Sequence, residues 1–100
     1  MPPSSEDGDA DAVAERSVLL PKPLHARPAG QLAKLAGQHK ENTIELVAGE
    51  KKANARSVLA VMAMGAVTGT EVAVTVTGPD APAVADAAAE ILSSEEAANA

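Results

Sequence analysis

The hundred residues include no phenylalanine, tryptophan, tyrosine or cysteine, and this restricts what the chain can fold into. Any core must consist of Val, Leu, Ile, Met and many alanines, so alanine-rich helices lying close on a sheet must offset part of the missing aromatic burial. Without cysteine, disulfides, thiolate metal sites and thiol catalysis are excluded. Without aromatic rings, recognition of nucleic acid by base stacking is not expected.

The length allows one small domain, and both ends of the chain are predicted to lie outside it. Residues 1–15 carry five acidic groups and no basic group, a composition typical of a disordered acidic tail. We predict a folded domain over residues 16–94 and a frayed tail over residues 95–100. The sequence shows neither a signal-peptide pattern nor an apolar run long enough to span a membrane. We therefore expect a cytoplasmic monomer without membrane insertion.

Charge is distributed unevenly along the chain. The net charge is −5 over residues 1–15, +5 over residues 16–56 and −6 over residues 57–100. All eight Lys and Arg residues lie between Arg16 and Arg56. This pattern fits either solvated faces that differ by chance or a basic surface that meets acidic partner proteins or a phosphate.

Apolar periodicity and turn residues predict seven elements in the order β-α-β-β-α-β-α. The clearest strand covers residues 71–77, where Val72, Val74 and Val76 alternate with smaller or polar residues. Ser57, before an apolar run that ends at Gly65, predicts a short capped helix. The other predicted elements are strands over residues 16–20, 43–48 and 51–55, a helix from about residue 26 to residue 37 or 38, and a last helix after Asp80. This order predicts an α+β fold, a two-layer open-faced sandwich with a four-stranded antiparallel sheet and three helices on one face.

The segment LHARPAG, residues 24–30, places an imidazole and a guanidinium at the predicted start of the first helix. Pro28 suits a first turn, where a missing N–H costs nothing. The unpaired N–H groups of a first turn bind anions, phosphate above all. His25 can serve as a neutral nucleophile near pH 7, and Arg27 can fork onto a phosphate. These residues predict a phosphoryl-acceptor site, whereas His39 has no such neighbours.

Three motifs follow one another along the chain. They are Leu24-His25-Ala26-Arg27-Pro28-Ala29, the serine of Asn54-Ala55-Arg56-Ser57, and Thr68-Gly69-Thr70-Glu71 before the valine-rich strand. In these motifs, which stand at nearly the family's spacing, the chain resembles the HPr family. This is the histidine-containing phosphocarrier of the bacterial phosphoenolpyruvate-dependent sugar phosphotransferase system, and the resemblance covers about residues 18–93.

The resemblance implies that His25 takes a phosphoryl group on Nδ1 from phospho-enzyme I and passes it to the IIA domain of a sugar permease. Arg27 matches the family's active-site arginine. Ser57 matches a regulatory serine that an ATP-dependent kinase phosphorylates in some bacteria, so a serine kinase, a phosphatase and a transcription regulator are further implied partners. A carrier of this kind is expected to need no metal or cofactor and to be no self-contained enzyme. The residues expected to dock partners are Leu24, Pro28, Ala29, Val58, Leu59 and Met62.

Two other functions remain open at this stage. One is a regulatory relative in a nitrogen-linked phosphotransfer chain, although Ser57 argues against it because the kinase-responsive serine belongs to the sugar-type carriers. The other is an interaction module controlled by phosphorylation of Ser57, although the presence of His25 argues against this as the sole role. The chain also departs from the family at Pro23, where most members have glycine, and at Gly30, where alanine is usual.

Overall fold

The computed structural model describes residues 12–93, which form four strands and three helices. The described elements are β1 (Val13–Leu19), α1 (Ala26–Gln38), β2 (Thr43–Ala48), β3 (Lys51–Asn54), α2 (Val58–Ala63), β4 (Glu71–Thr77) and α3 (Ala81–Ser93). The predicted order is confirmed, and β2 and β4 have the predicted bounds. The predicted C-terminal tail and most of the predicted N-terminal tail lie outside the described residues. Within residues 12–93, no helix is long and apolar enough to cross a membrane.

The four strands form one antiparallel sheet in the order β1-β4-β2-β3. Because successive side chains of a strand point to opposite faces, the alternation in β4 places its valines on one face, where all three are fully buried. The register sets Ile44 opposite Val76 and Leu46 opposite Val74, so β2 contributes to the same core. Helix α3 packs on β1 and β4, α2 lies beside β3, and α1 packs against the other two helices. The expected open-faced sandwich is thereby confirmed.

Strand β1 begins at Val13, three residues before the predicted start at Arg16. Residues 13–15 pair with residues 75–77 of β4, and Ala14 joins the core. The prediction of a disordered tail was wrong for these three residues. Their composition carries little strand signal, but pairing with a central valine-rich strand orders them.

One end of the sheet is closed by polar side chains. Asn42, the one buried polar side chain among residues 12–93, donates from Nδ2 to the carbonyl of Pro79 at 2.7 Å. The Arg56 guanidinium donates to the carbonyls of Lys40 at 3.0 Å and Asn42 at 3.3 Å. Gly78, the residue before Pro79, lies in the same region and has a positive φ of +125°. We call residues 40–42, 56 and 78–79 the braced end of the molecule.

Candidate functional site

His25 immediately precedes helix α1, and its side chain is exposed. Its backbone is extended, with φ −115° and ψ −159°, and its carbonyl accepts the N–H of Ala29 at 3.1 Å. The imidazole makes no capping hydrogen bond, although this position in a helix is where a polar side chain commonly caps the first turn. The ring is therefore accessible and is not used to stabilise the helix.

The first turn of α1 offers donors for an anion beside this imidazole. The first intrahelical bond is made by the N–H of Ala29, so the N–H groups of Ala26 and Arg27, which come before it, have no partner within the helix. Pro28, between them and Ala29, has no N–H. Arg27 is exposed, and its guanidinium makes no hydrogen bond or ion pair with residues 12–93. The partial positive charge of the helix start adds to that of the guanidinium. Two backbone N–H groups and one arginine are thus available to phosphoryl oxygens.

The segment before His25, residues 20–24, is fixed at both of its ends. Leu20 and Leu24 are buried, with 2% and 5% of their surface exposed. The N–H of Leu24 donates to the carbonyl of Ala66 at 3.0 Å, in the loop between α2 and β4. The side chain of His25 is therefore exposed, whereas the backbone before it is held in place by buried side chains and by the hydrogen bond to Ala66.

The two histidines of the chain lie at opposite ends of one helix. His39 follows the last residue of the 13-residue helix α1, where its N–H bonds the carbonyls of Leu35 and Ala36 at 3.2 Å. It is half-buried and has no arginine adjacent in sequence. Among residues 12–93 there is no group of three or more His, Asp or Glu side chains placed to share a metal ion.

Ser57 caps helix α2 as the sequence predicts. Its Oγ accepts the N–H of Ala60 at 3.1 Å, and its backbone is extended at φ −104° and ψ 105°. The side chain is exposed. The hydroxyl therefore contributes to the helix start while remaining accessible from solvent.

The structure divides the predicted docking residues into two sets. Leu59 and Met62 of α2 are 80% and 38% exposed, and Val58 is half-buried. We call Val58, Leu59 and Met62 the apolar patch. The remaining three residues have almost no accessible surface, so the prediction that they contact partners is corrected: they are the buried residues Leu24, Pro28 and Ala29.

This correction has a simple cause. An apolar residue next to an exposed reactive group can anchor that group or meet a partner, and its sequence neighbours are the same in both cases. Leu24 and Ala29 belong to the core cluster, where they hold the start of α1 against the rest of the domain.

Two residues near the site were not assigned a role from the sequence. Val67, in the loop after α2, is 57% exposed and adds an apolar side chain close to Ala66, the residue that holds Leu24. Thr70 belongs to the third motif, and its Oγ1 accepts the N–H of Val67 at 3.1 Å. A threonine after glycine is a common turn pattern, so this particular bond could not be predicted from the residues alone.

Comparison with known families gives one match over most of the chain. Residues 14–94 match the family model PTS-HPr, described as the PTS HPr component phosphorylation site.

Individual relatives agree with that match. The phosphocarrier protein HPr of Mycoplasma capricolum is 48% identical over 58 residues, which cover 58% of this chain and 64% of that protein. The phosphocarrier protein HPr of Chlamydia trachomatis is 37% identical over 93 residues, covering 92% of this chain and 82% of that protein. A solved histidine-containing phosphocarrier protein of Mycoplasma is similar in structure, with a TM-score of 0.71 at 38% identity, over 78% of this chain and 90% of that one.

Proposed function

The chain belongs to the HPr family, the phosphocarrier proteins of the phosphotransferase system, and on that premise we propose that His25 is its phosphoryl acceptor. The donor is phospho-enzyme I, and the acceptor is the IIA domain of a sugar permease. The observation that carries the proposal is an exposed imidazole that makes no capping hydrogen bond and lies at a helix start with two free N–H groups and Arg27.

The proposed transfer is a displacement at phosphorus between two imidazoles. The Nδ1 lone pair of His25 forms a new N–P bond while the N–P bond to the donor histidine breaks, and the electron pair of the broken bond returns to the donor ring. Each ring keeps the proton on its other nitrogen, so no proton is released. Transfer to the IIA domain repeats the step with His25 as the leaving group.

The surroundings of His25 suit a residue that passes the phosphoryl group on better than one that retains it. Backbone N–H groups and one exposed arginine stabilise the phosphoryl oxygens moderately, whereas a buried site with several cations would hold the group too tightly to release it. The proposed role therefore needs the donor and acceptor proteins to complete the transfer site around His25.

Partner docking is proposed for the apolar patch. Leu59 is 80% exposed, and such a side chain gains free energy when a partner covers it. Arg27 lies two residues after His25, and Lys34 is exposed further along the same helix, so an acidic rim on the partner would complement this part of the surface.

Ser57 is the proposed regulatory residue. Phosphorylation would add a charge of about −1.5 to −2 at the start of α2, where a phosphate oxygen can still accept the N–H that Oγ accepts now. The same charge lies next to Leu59, so it would weaken docking of an acidic partner. This is a surface electrostatic brake on phosphoryl transfer.

The carrier role is tested by a two-step relay with purified proteins. Labelled phosphoenolpyruvate and enzyme I should load the full chain with an acid-labile phosphoryl group, and added IIA domain of a sugar permease should then discharge it. A parallel reaction with the IIA protein of a nitrogen-linked chain separates the two kinds of phosphotransfer. If the chain is not loaded, or is loaded but discharges only to the nitrogen-linked protein, the sugar-carrier proposal is wrong.

A further inference from the structure

The loop that precedes β4 contains a turn closed from both sides. The N–H of Thr70 donates to the carbonyl of Val67 at 3.0 Å, and Gly69 has φ +88° at the third position of the turn. A positive φ at this position is the requirement of a type II turn, which favours glycine there. The Thr70 hydroxyl closes the other side, since its Oγ1 accepts the N–H of Val67 at 3.1 Å. Val67 and Thr70 are thereby joined by a reciprocal pair of hydrogen bonds.

This turn holds the segment that leads into His25. At one end of the segment, Leu20 donates its N–H to the Thr70 carbonyl at 3.0 Å and accepts the N–H of Gly69 at 2.8 Å. At the other end, Leu24 donates to the carbonyl of Ala66 at 3.0 Å. The loop over residues 66–70 therefore supplies the anchors on both sides of the Pro-Lys-Pro sequence.

The segment has few other ways to be held by its backbone. Residues 21 and 23 are prolines and have no N–H, so only three backbone donors exist between residues 20 and 24. Two of these three bond the loop over residues 66–70. A shift of that loop would be passed on to Leu24 and to the backbone of His25, its next neighbour.

We propose that Thr70 is a positioning residue for phosphoryl acceptance, acting through the turn that it closes. The inference rests on His25 being the acceptor. The Thr70 hydroxyl keeps Val67 and its neighbour Ala66 in place, Ala66 holds Leu24, and Leu24 sets where the imidazole meets the incoming phosphorus. Displacement of a reacting group by about 1 Å lowers the rate by up to about a hundredfold. A hydrogen bond that does not touch the phosphoryl group can therefore still control the rate of transfer.

The test removes the hydroxyl in two ways and restores it in a third. Thr70→Val keeps the shape of the side chain, Thr70→Ala adds no crowding if the valine variant folds poorly, and Thr70→Ser restores the acceptor. Thr77→Val is the matched control, because Thr77 is exposed at the far end of the strand that Thr70 precedes and its hydroxyl makes no hydrogen bond with residues 12–93.

Two readouts distinguish positioning from general stability. In transfer from phospho-enzyme I, Thr70→Val and Thr70→Ala should lower kcat by about tenfold with KM little changed, since the apolar patch is intact. Hydrogen exchange at the Leu24 amide should accelerate in both variants while exchange at Val74, in the centre of β4, stays slow. Thr70→Ser and Thr77→Val should match the wild type in both measurements.

Three results would overturn the inference. These are an unchanged kcat in both hydroxyl-less variants, a loss of kcat that the serine variant does not restore, and a loss matched by faster exchange throughout β4. Failure of the proposed function is visible separately, because the wild-type chain would then not be phosphorylated at His25 at all. The exchange at Leu24 is measured without any phosphoryl donor, so it reports on the turn in either case.

Discussion

The two ends of the sheet are held in different ways. At the braced end, the side chains of Asn42 and Arg56 bond three backbone carbonyls, and Gly78 passes close to the neighbouring loop. At the end that carries His25, backbone hydrogen bonds and the buried Leu20 and Leu24 do the holding, with the Thr70 hydroxyl as the one side-chain bond in the loop over residues 66–70.

This difference means that the side chains that stabilise the fold and those that are free to react lie at different ends of the sheet. Polar side chains that hold a loop together are no longer available to a ligand, and those at the braced end are used in that way. The imidazole of His25 and the guanidinium of Arg27 have no such partners among the described residues, so they are available to a phosphoryl group and to a partner protein. We therefore expect substitutions at the braced end to change folding stability and those at His25 or Arg27 to change transfer.

The largest effect on stability is expected for Gly78→Ala, at the braced end. A Cβ there would lie 2.8 Å from the carbonyl oxygen of Glu41 and 2.9 Å from Nδ2 of Asn42, on a backbone with φ +125°. Strain and overpacking together should cost about 3 kcal/mol in the free energy of unfolding, measured by urea denaturation.

Gly49→Ala is the control for this substitution. Gly49 also has a positive φ, +64°, but a Cβ there meets nothing within 4 Å. Its cost should be limited to the backbone term of about 1 kcal/mol. Equal losses in the two variants would show that the close approach at Gly78 does not contribute to stability.

Arg27→Ala should have the opposite signature. Loss of one charge-assisted contact to the transferring group should slow phosphoryl transfer by about tenfold to a hundredfold. The free energy of unfolding should change by less than about 0.5 kcal/mol, because the side chain is exposed and makes no bond within residues 12–93. Lys34→Ala removes an exposed positive charge two turns along the same helix, and an equal loss of rate there would mean that only the general surface charge matters.

Ser57→Ala tests helix α2, which connects the two ends. Removing the Oγ that accepts the N–H of Ala60 should cost about 1 kcal/mol of unfolding free energy, because the alanine cannot cap. Ser57→Asp retains an acceptor and should lie close to the wild type in stability. A wild-type value for the alanine variant would contradict the capping role.

The smallest effect is expected for Gly30→Ala, in helix α1 near the site. A Cβ at Gly30 meets nothing within 4 Å, and alanine is the better helix former, so unfolding free energy should rise by about 0.5–1 kcal/mol. Gly37→Ala, in the last turn of the same helix and equally open, should give a similar gain. A loss at Gly30 alone would mean that the start of α1 needs the freedom of glycine.

Much of the fold follows from local patterns in the sequence. The alternation over residues 71–77 predicts β4 with its bounds, and Ser57 predicts the start of α2, because each signal lies within a few residues. Strand β1 was predicted to begin three residues too late, since what orders residues 13–15 is pairing with a strand some sixty residues away.

In the site, too, some features follow from local sequence patterns and others depend on residues far apart in the chain. His25 and Arg27 were predicted because their residue types and spacing are themselves the signal. The burial of Leu24 and Ala29, and the bond from Asn42 to Pro79 across 37 residues, depend on the assembled core. No local pattern reveals which apolar residue beside a reactive group faces inward.

The most direct test of the central claim is to locate the phosphoryl group on the full chain after reaction with enzyme I and phosphoenolpyruvate. His25→Ala and His39→Ala are compared with the wild type by intact mass under conditions that preserve phosphohistidine, and the modified residue is mapped by fragmentation. We predict one phosphoryl group on His25 in the wild type and in His39→Ala, and none in His25→Ala. Undiminished phosphorylation of His25→Ala would contradict the account.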